Sequence, residues 1–273
     1  MARLQRIDRR MFLAELGRRS FVVALIGAGV VACSSSSDGD TVTQTTVRAT
    51  TTRADGVTTQ TTTVTGGAQS ASTTGPGEPL RWEVASFGFV SAYLLARGSS
   101  VAVVDTGVSG GVDRFEPALA ALGAGWSDVD HVVLTHLHPD HVGGLGGVLE
   151  AAPDAAAYAG ELDVAAIDSP RPLVALNDGD EVFGLQIIGT PGHTPGHISV
   201  YDAGSGLLVA GDSLGTEGSE VVGPNAEFTA DLEAAAESVR RMAAFDVDTV
   251  LVGHGPPVGP AAGELLTQLA VSL

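Results

Sequence analysis

Six consecutive residues, His136-Leu137-His138-Pro139-Asp140-His141, place three imidazoles and a carboxylate where a buried core tolerates few of either. Nitrogen and oxygen donors at this density suit metal ligation. His136 and His138 lie two apart, so on an extended segment both side chains leave the same face, while Asp140 and His141 begin the next element and can serve a second ion. Three more donors lie downstream: His193 in Thr190-Pro191-Gly192-His193-Thr194-Pro195-Gly196-His197, Asp212 in Ala210-Gly211-Asp212, and His254 in Val252-Gly253-His254-Gly255. The pattern reads as a two-metal site whose parts are scattered along the chain.

The elements around these residues are strand ends. Residues 81–87 and 91–96 read as short strands, and Val101-Ala102-Val103-Val104, bounded by turn residues, as a buried one. A helix is predicted over 112–122. His131-Val132-Val133-Leu134 is a further buried strand that leads into the hexapeptide; Pro139 ends it, and Asp140 is placed to cap a helix running to about residue 152. Residues 181–188, 207–210 and 249–252 read as strands delivering His193, Asp212 and His254, with helices over 229–244 and 261–271 covering the outside. Apolar strands, each ending in a donor, must therefore converge on one edge.

In this order the motifs resemble those of the metallo-β-lactamase-fold hydrolases, over roughly residues 80–273, with the likeness leaning to the glyoxalase II-like and lactonase-like branch. The resemblance implies an α/β fold, a four-layer αββα sandwich. It also implies that His136, His138 and His193 hold one ion, that Asp140, His141 and His254 hold a second, and that Asp212 bridges them. Two zinc ions are expected, with iron or manganese also compatible with nitrogen and oxygen donors lacking a thiolate. The implied activity is hydrolysis of an ester, thioester, lactone or amide in a small-molecule substrate by a metal-bridging hydroxide, with Asp140 orienting the water or passing a proton.

Several positions depart from named branches. Asp212 stands where β-lactamases generally use cysteine or serine, and Gly215 where many lactonases place a tyrosine. Little sequence follows His254 for the helical glutathione region of glyoxalase II. His138 replaces the glutamate of the oxygen-reducing diiron branch. A mononuclear iron persulfide dioxygenase-like enzyme and a non-catalytic metal-binding lipoprotein are the alternative readings. His197 is expected to support a ligand rather than be one, and Asp105 to accept the free N–H of a ligating imidazole, an exposed turn cap being the competing role. His131 lies outside every motif and is read as packed or superficial. Phe87-Gly88-Phe89 and residues 214–228 are expected to border the substrate pocket.

Ahead of this domain, Arg3, Arg6, Arg9 and Arg10 precede an apolar run over 21–32 that ends at Cys33, too short to span a bilayer, which needs about 20 apolar residues. Arg9-Arg10-Met11-Phe12-Leu13 resembles a twin-arginine export signal, and Val30-Val31-Ala32-Cys33 a lipobox. Cys33 is the only cysteine, so no internal disulfide can form. Residues 1–33 are therefore expected to export the chain, and the protein to be a membrane-anchored lipoprotein facing the extracytoplasmic side, with its lipid on Cys33. Residues 34–79, rich in Ser, Thr and Gly, are a disordered tether. Residues 80–273 form one catalytic domain. Its only cations are Arg81, Arg97, Arg114, Arg171, Arg240 and Arg241, in a chain of net charge -18 without lysine, which argues against a nucleic-acid partner.

Overall fold

The computed structural model describes residues 78–273; Cys33, the segment expected to be an export signal and nearly all of the expected tether lie outside the described residues. A first sheet takes β1 (Arg81–Ser86), β2 (Ser91–Arg97), β3 (Ser100–Val104), β4 (Val129–Leu134), β5 (Ala156–Gly160) and β6 (Val174–Leu176) in sequence order. Its first three strands pair antiparallel and its last four parallel. Parallel neighbours need crossovers, and these carry helices α1 (Glu116–Leu122), α2 (Pro139–Val142), α3 (Leu145–Ala151) and α4 (Glu161–Val164). The chain continues through β7 (Glu181–Val182), β8 (Leu185–Gly189), β9 (Ile198–Asp202), β10 (Leu207–Gly211), the hairpin β11 (Gly215–Glu217) and β12 (Glu220–Val222), α5 (Leu232–Met242), β13 (Thr249–Val252) and α6 (Ala262–Ser272). The second sheet has the order β13-β10-β9-β8-β7.

Strand neighbours divide between layers. Leu94, Val103 and Val132 pack with Phe115, Leu119 and Val148 on the helix side of the first sheet, whereas Leu95, Ala102 and Val133 meet Ile187, Val209 and Leu251 between the sheets. Leu208 and Val250 pack with Val239, Met242 and Leu266 on the far side of the second sheet. Alternate residues point to opposite faces, and both faces of each sheet are covered, so the strands read as continuous apolar runs rather than alternating ones. Three stacked cores make the four-layer αββα sandwich that the motifs imply.

Three elements differ from the sequence reading. The helix over 112–122 begins as a 3-10 turn at Val112–Phe115, and α1 proper starts beside Pro117 and closes on left-handed Gly123. Asp140 does not cap a long helix: His138 holds the cap position, α2 is a single turn, and the chain breaks before α3. The break is tertiary in origin, because a Cβ on Gly144 would lie 2.1 Å from the Thr106 carbonyl oxygen that it packs against. Residues 181–188 are a hairpin rather than one strand, turning at Phe183 and Gly184, both left-handed with φ of 59° and 69°, as a two-residue type I′ turn requires.

At one edge the sheets are bonded to each other. Ser91 N–H donates to the Gly253 carbonyl at 2.9 Å, the Tyr93 hydroxyl to the Val252 carbonyl at 2.8 Å, and Ile198 N–H to the Thr135 carbonyl at 2.9 Å. Gly253 and Thr135 are the residues immediately before His254 and His136, so these bonds fix the backbone from which both rings project.

Candidate metal centre

The ends of β4, β8, β10 and β13 bring all seven predicted donors together. His138 Nδ1 lies 3.0 Å from His136 Nε2 and 2.9 Å from His193 Nε2, a compact triangle of ring nitrogens. Asp140, His141 and His254 form a second group, and in each group the candidate donor atoms lie within 4.8 Å of one another. Asp212 stands between them: Oδ1 is 3.2 Å from His141 Nε2, and Oδ2 is 3.4 Å from His193 Nε2 and 3.3 Å from His254 Nε2. Only glycine fits at position 253, where a Cβ would fall 2.1 Å from Asp212 Oδ1 and 2.5 Å from His141 Cε1.

Hydrogen bonds behind the rings aim them. His141 Nδ1–H donates to Asp105 Oδ2 at 2.7 Å, which turns Nε2 toward the centre. Asp105 is buried, so the exposed-cap alternative does not describe it; it also accepts from Thr135 N–H and the Thr135 hydroxyl, each at 2.8 Å. With that hydroxyl donating to Asp105, its oxygen accepts from His136 Nδ1–H at 3.1 Å, leaving His136 Nε2 for the centre. His254 Nδ1–H donates to the Phe89 carbonyl at 2.7 Å, and the two rings stack.

His197 is engaged at both nitrogens. Nε2 accepts Asp212 N–H at 3.1 Å and Nδ1–H donates to Thr190 Oγ1 at 2.8 Å, so it braces the residue that carries Asp212 and offers no free donor atom. His131 lies apart, packed against Tyr158 and Phe183. Sequence reasoning missed Thr135 and Asp163. Asp163 is fully buried and accepts Leu137 N–H at 3.1 Å, the Thr194 hydroxyl at 2.6 Å and Gly196 N–H at 2.8 Å, joining the loop of His136 and His138 to that of His193.

Burial dominates the imidazoles. It pushes His136 well below its ordinary pKa, with the neighbouring His141 and His197 adding to the effect; it takes His193 to about 4 and His197 to about 3. These rings are neutral at pH 7, with lone pairs available to a metal. His141 differs: burial lowers it, but Asp105 and Asp212 outweigh burial and hold it up to about 10. Burial would raise Asp212, yet His141 and His254 beside it drive its carboxyl far below the usual range. Two carboxylates thus call for positive charge beside one buried ring. His141 Nε2 and Asp212 Oδ1, both buried and without a hydrogen-bond partner among the described residues, are the atoms a cation would satisfy.

Comparison with known proteins bears on this centre. The model of the metallo-beta-lactamase superfamily matches residues 85–254. The hydroxyacylglutathione hydrolase of Aeromonas hydrophila is 34% identical over 168 residues, covering 58% of this chain and 58% of that protein. The probable metallo-hydrolase YflN of Bacillus subtilis is 32% identical, over 51% of this chain and 69% of its own length. Among solved structures, a metallo-beta-lactamase family protein from Thermus thermophilus is 26% identical with a TM-score of 0.56, covering 71% of this chain and 78% of that one. A protein solved in a di-iron-bound form is 27% identical with a TM-score of 0.53, covering 64% of this chain and 92% of that one. The chain spans little more than half the length of the hydroxyacylglutathione hydrolase it matches.

Proposed function

This metallo-hydrolase-fold enzyme belongs to the metallo-β-lactamase superfamily, and on that premise we propose that it uses two zinc ions to hydrolyse an ester, thioester, lactone or amide. The observation that carries the reading is Asp212, whose two carboxylate oxygens face both donor groups. His136, His138 and His193 would hold one ion, Asp140, His141 and His254 the other, and Asp212 would be shared. Such a pair supplies a Lewis acid and a water acidified toward neutrality.

The chain's own groups do the rest. Asp105, through His141, and Thr135, through His136, hold two rings in the tautomer that presents Nε2. Asp140 lines the open cleft, its Oδ2 3.3 Å from His254 Nε2, and is the carboxylate that orients an incoming water and takes its proton. A single-iron dioxygenase reading would use one donor group and leave Asp140 and His254 without a task. A storage role needs no cleft with a carboxylate in its wall.

Elemental analysis of the full chain, with a panel of esters, thioesters, lactones and amides that includes a hydroxyacylglutathione, tests the proposal. Two zinc ions per chain are expected, with turnover lost to a chelator and restored by zinc. One iron with oxygen consumption, or bound metal without turnover of any substrate, overturns it. We further propose export and anchoring through Cys33, supported by Arg9-Arg10 and by the position of this sole cysteine after the apolar run. Cys33→Ala would then move the protein from the membrane fraction to the soluble one.

A further inference from the structure

We propose that the substrate is uncharged and apolar in the part held away from the scissile bond, and that Phe89 and Phe228 grip this part. The inference rests on the hydrolase reading above and narrows its substrate class. The cleft over the donors holds about 550 Å³. Beyond the metal-site side chains its wall includes Phe89, Leu214, Gly215, Asn225 and Phe228.

Phe89 and Phe228 are 63% and 62% exposed, the only exposed aromatic side chains among the described residues, and both line this cleft. Apolar rings left in water beside a site are what an apolar ligand would cover. Phe89 is also fixed in place, because its ring stacks on His254 and its carbonyl accepts that residue's Nδ1–H. Phe228 lies on the segment before α5, where the Asn225 carbonyl accepts Phe228 N–H at 3.1 Å and so shapes the turn.

Charge points the same way. Among the described residues no arginine lines the cleft, and five of the six in the domain are engaged elsewhere: Arg97 with Asp202, Arg240 with Glu237, Arg241 with Asp178, and Arg81 and Arg171 with backbone carbonyls. A carboxylate or phosphate on the distal part of a substrate would lose water against two phenyl rings with no cation on that wall to pair with it, which is costly. The polar side chain on that wall is Asn225, uncharged, whose Oδ1 already accepts Glu227 N–H at 3.0 Å; its amide can offer a hydrogen bond but no balancing charge.

The test compares 4-nitrophenyl hexanoate with the 4-nitrophenyl monoester of adipic acid, which has the same chain ending in a carboxylate. We expect kcat/KM to favour the neutral ester by roughly tenfold or more. Along the acetyl, butyryl and hexanoyl esters kcat/KM should rise by up to about fourfold per methylene buried, and the rise should flatten in the Phe89→Ala/Phe228→Ala double variant. Asn225→Arg should narrow the gap between the neutral and anionic esters. Equal or faster turnover of the anionic ester, or a chain-length dependence untouched by the double variant, overturns the inference while leaving the hydrolase reading intact. A second readout needs no catalysis: 2-octanone should shift the ring-proton NMR signals of Phe89 and Phe228, and 7-oxooctanoate should not. That discrimination without turnover of any ester, thioester, lactone or amide supports the pocket assignment and sinks the hydrolase; equal shifts from both ketones sink the pocket assignment.

Discussion

Asp105 holds a left-handed backbone, φ 63°, that few residues other than glycine, asparagine and aspartate adopt at low cost. The conformation carries its carboxylate beneath His141, where Thr135 and the imidazole N–H together satisfy it. Asp105→Ala would unpair His141 Nδ1–H and free the ring to turn, so zinc affinity in a chelator competition should fall by about 10- to 100-fold. Asp105→Asn, which tolerates the backbone and keeps one acceptor oxygen, should lose less; equal affinity in all three proteins would refute the aiming role. His131 makes a separate prediction. Burial lowers its pKa from 6.5, with Asp130 only partly opposing. As pH falls through about 6.5 the unfolded chain takes up a proton that the folded ring refuses. Stability is therefore full above 6.5 and declines with acid until the folded ring protonates. Urea midpoints from pH 7.5 to 5 should fall less in His131→Gln than in the parent, and parallel curves would show that the ring does not titrate this way. The donors were legible because three histidines in six residues, and a histidine between Pro-Gly and Thr-Pro, fit no core pattern. Thr135 and Asp163 were not, since a lone polar residue at a strand end or on a short helix looks like an ordinary solvated position.

At the scale of elements, the centre depends on how two loops from different sheets are kept in register. Asp163, on α4 of the first sheet's side, does this with three acceptor contacts: one to Leu137 of the hexapeptide and two to the loop that carries His193. Asp163→Ala would leave two N–H groups and a hydroxyl buried without partners, a loss of about 3 kcal/mol or more if only part of each desolvation cost is felt. Urea unfolding should show that loss, and kcat should drop although Asp163 touches no substrate. Asp163→Asn, with one oxygen retained, should recover part of both, whereas a fully stable alanine variant would remove Asp163 from this role. The buried strands β3, β4, β10 and β13 could be read from sequence because sheets covered on both faces need unbroken apolar runs. The strand β5, Ala156-Ala157-Tyr158-Ala159-Gly160, could not, because its small residues lack the β-branched signal. The hairpin at Phe183 and the break after α2 escaped for different reasons: one turns on a phenylalanine at positive φ, and the other is set by the approach of Gly144 to the Thr106 carbonyl, a contact visible only in three dimensions.

For the molecule as a whole, the three-layered core and the charge act in opposite directions. The sandwich buries both faces of each sheet, and the metal-binding edge is where the two sheets are bonded to each other. Against that cohesion stands a net charge of -18, with no lysine and with five of the domain's six arginines tied to acids or backbone carbonyls. Like charges spread over one surface repel across distances comparable to the Debye length, about 10 Å at 0.1 M salt and about 3 Å at 1 M, and a net charge this far from zero works against the compact state. Sodium chloride should therefore stabilise this protein, where a fold rich in exposed ion pairs would be weakened or left unchanged. Between about 0.05 and 0.5 M sodium chloride the Tm should rise by roughly 2–4 °C, the shift that about 1 kcal/mol produces in a domain of this size. Sulfate would confuse the result, because its exclusion from protein surfaces stabilises any fold; chloride isolates the screening. A flat or falling Tm in chloride would mean that the acidic side chains are spaced widely enough to ignore one another. The same repulsion would then also be too weak to turn anionic substrates away from the cleft at a distance, leaving that selection to the uncharged wall around Phe89 and Phe228.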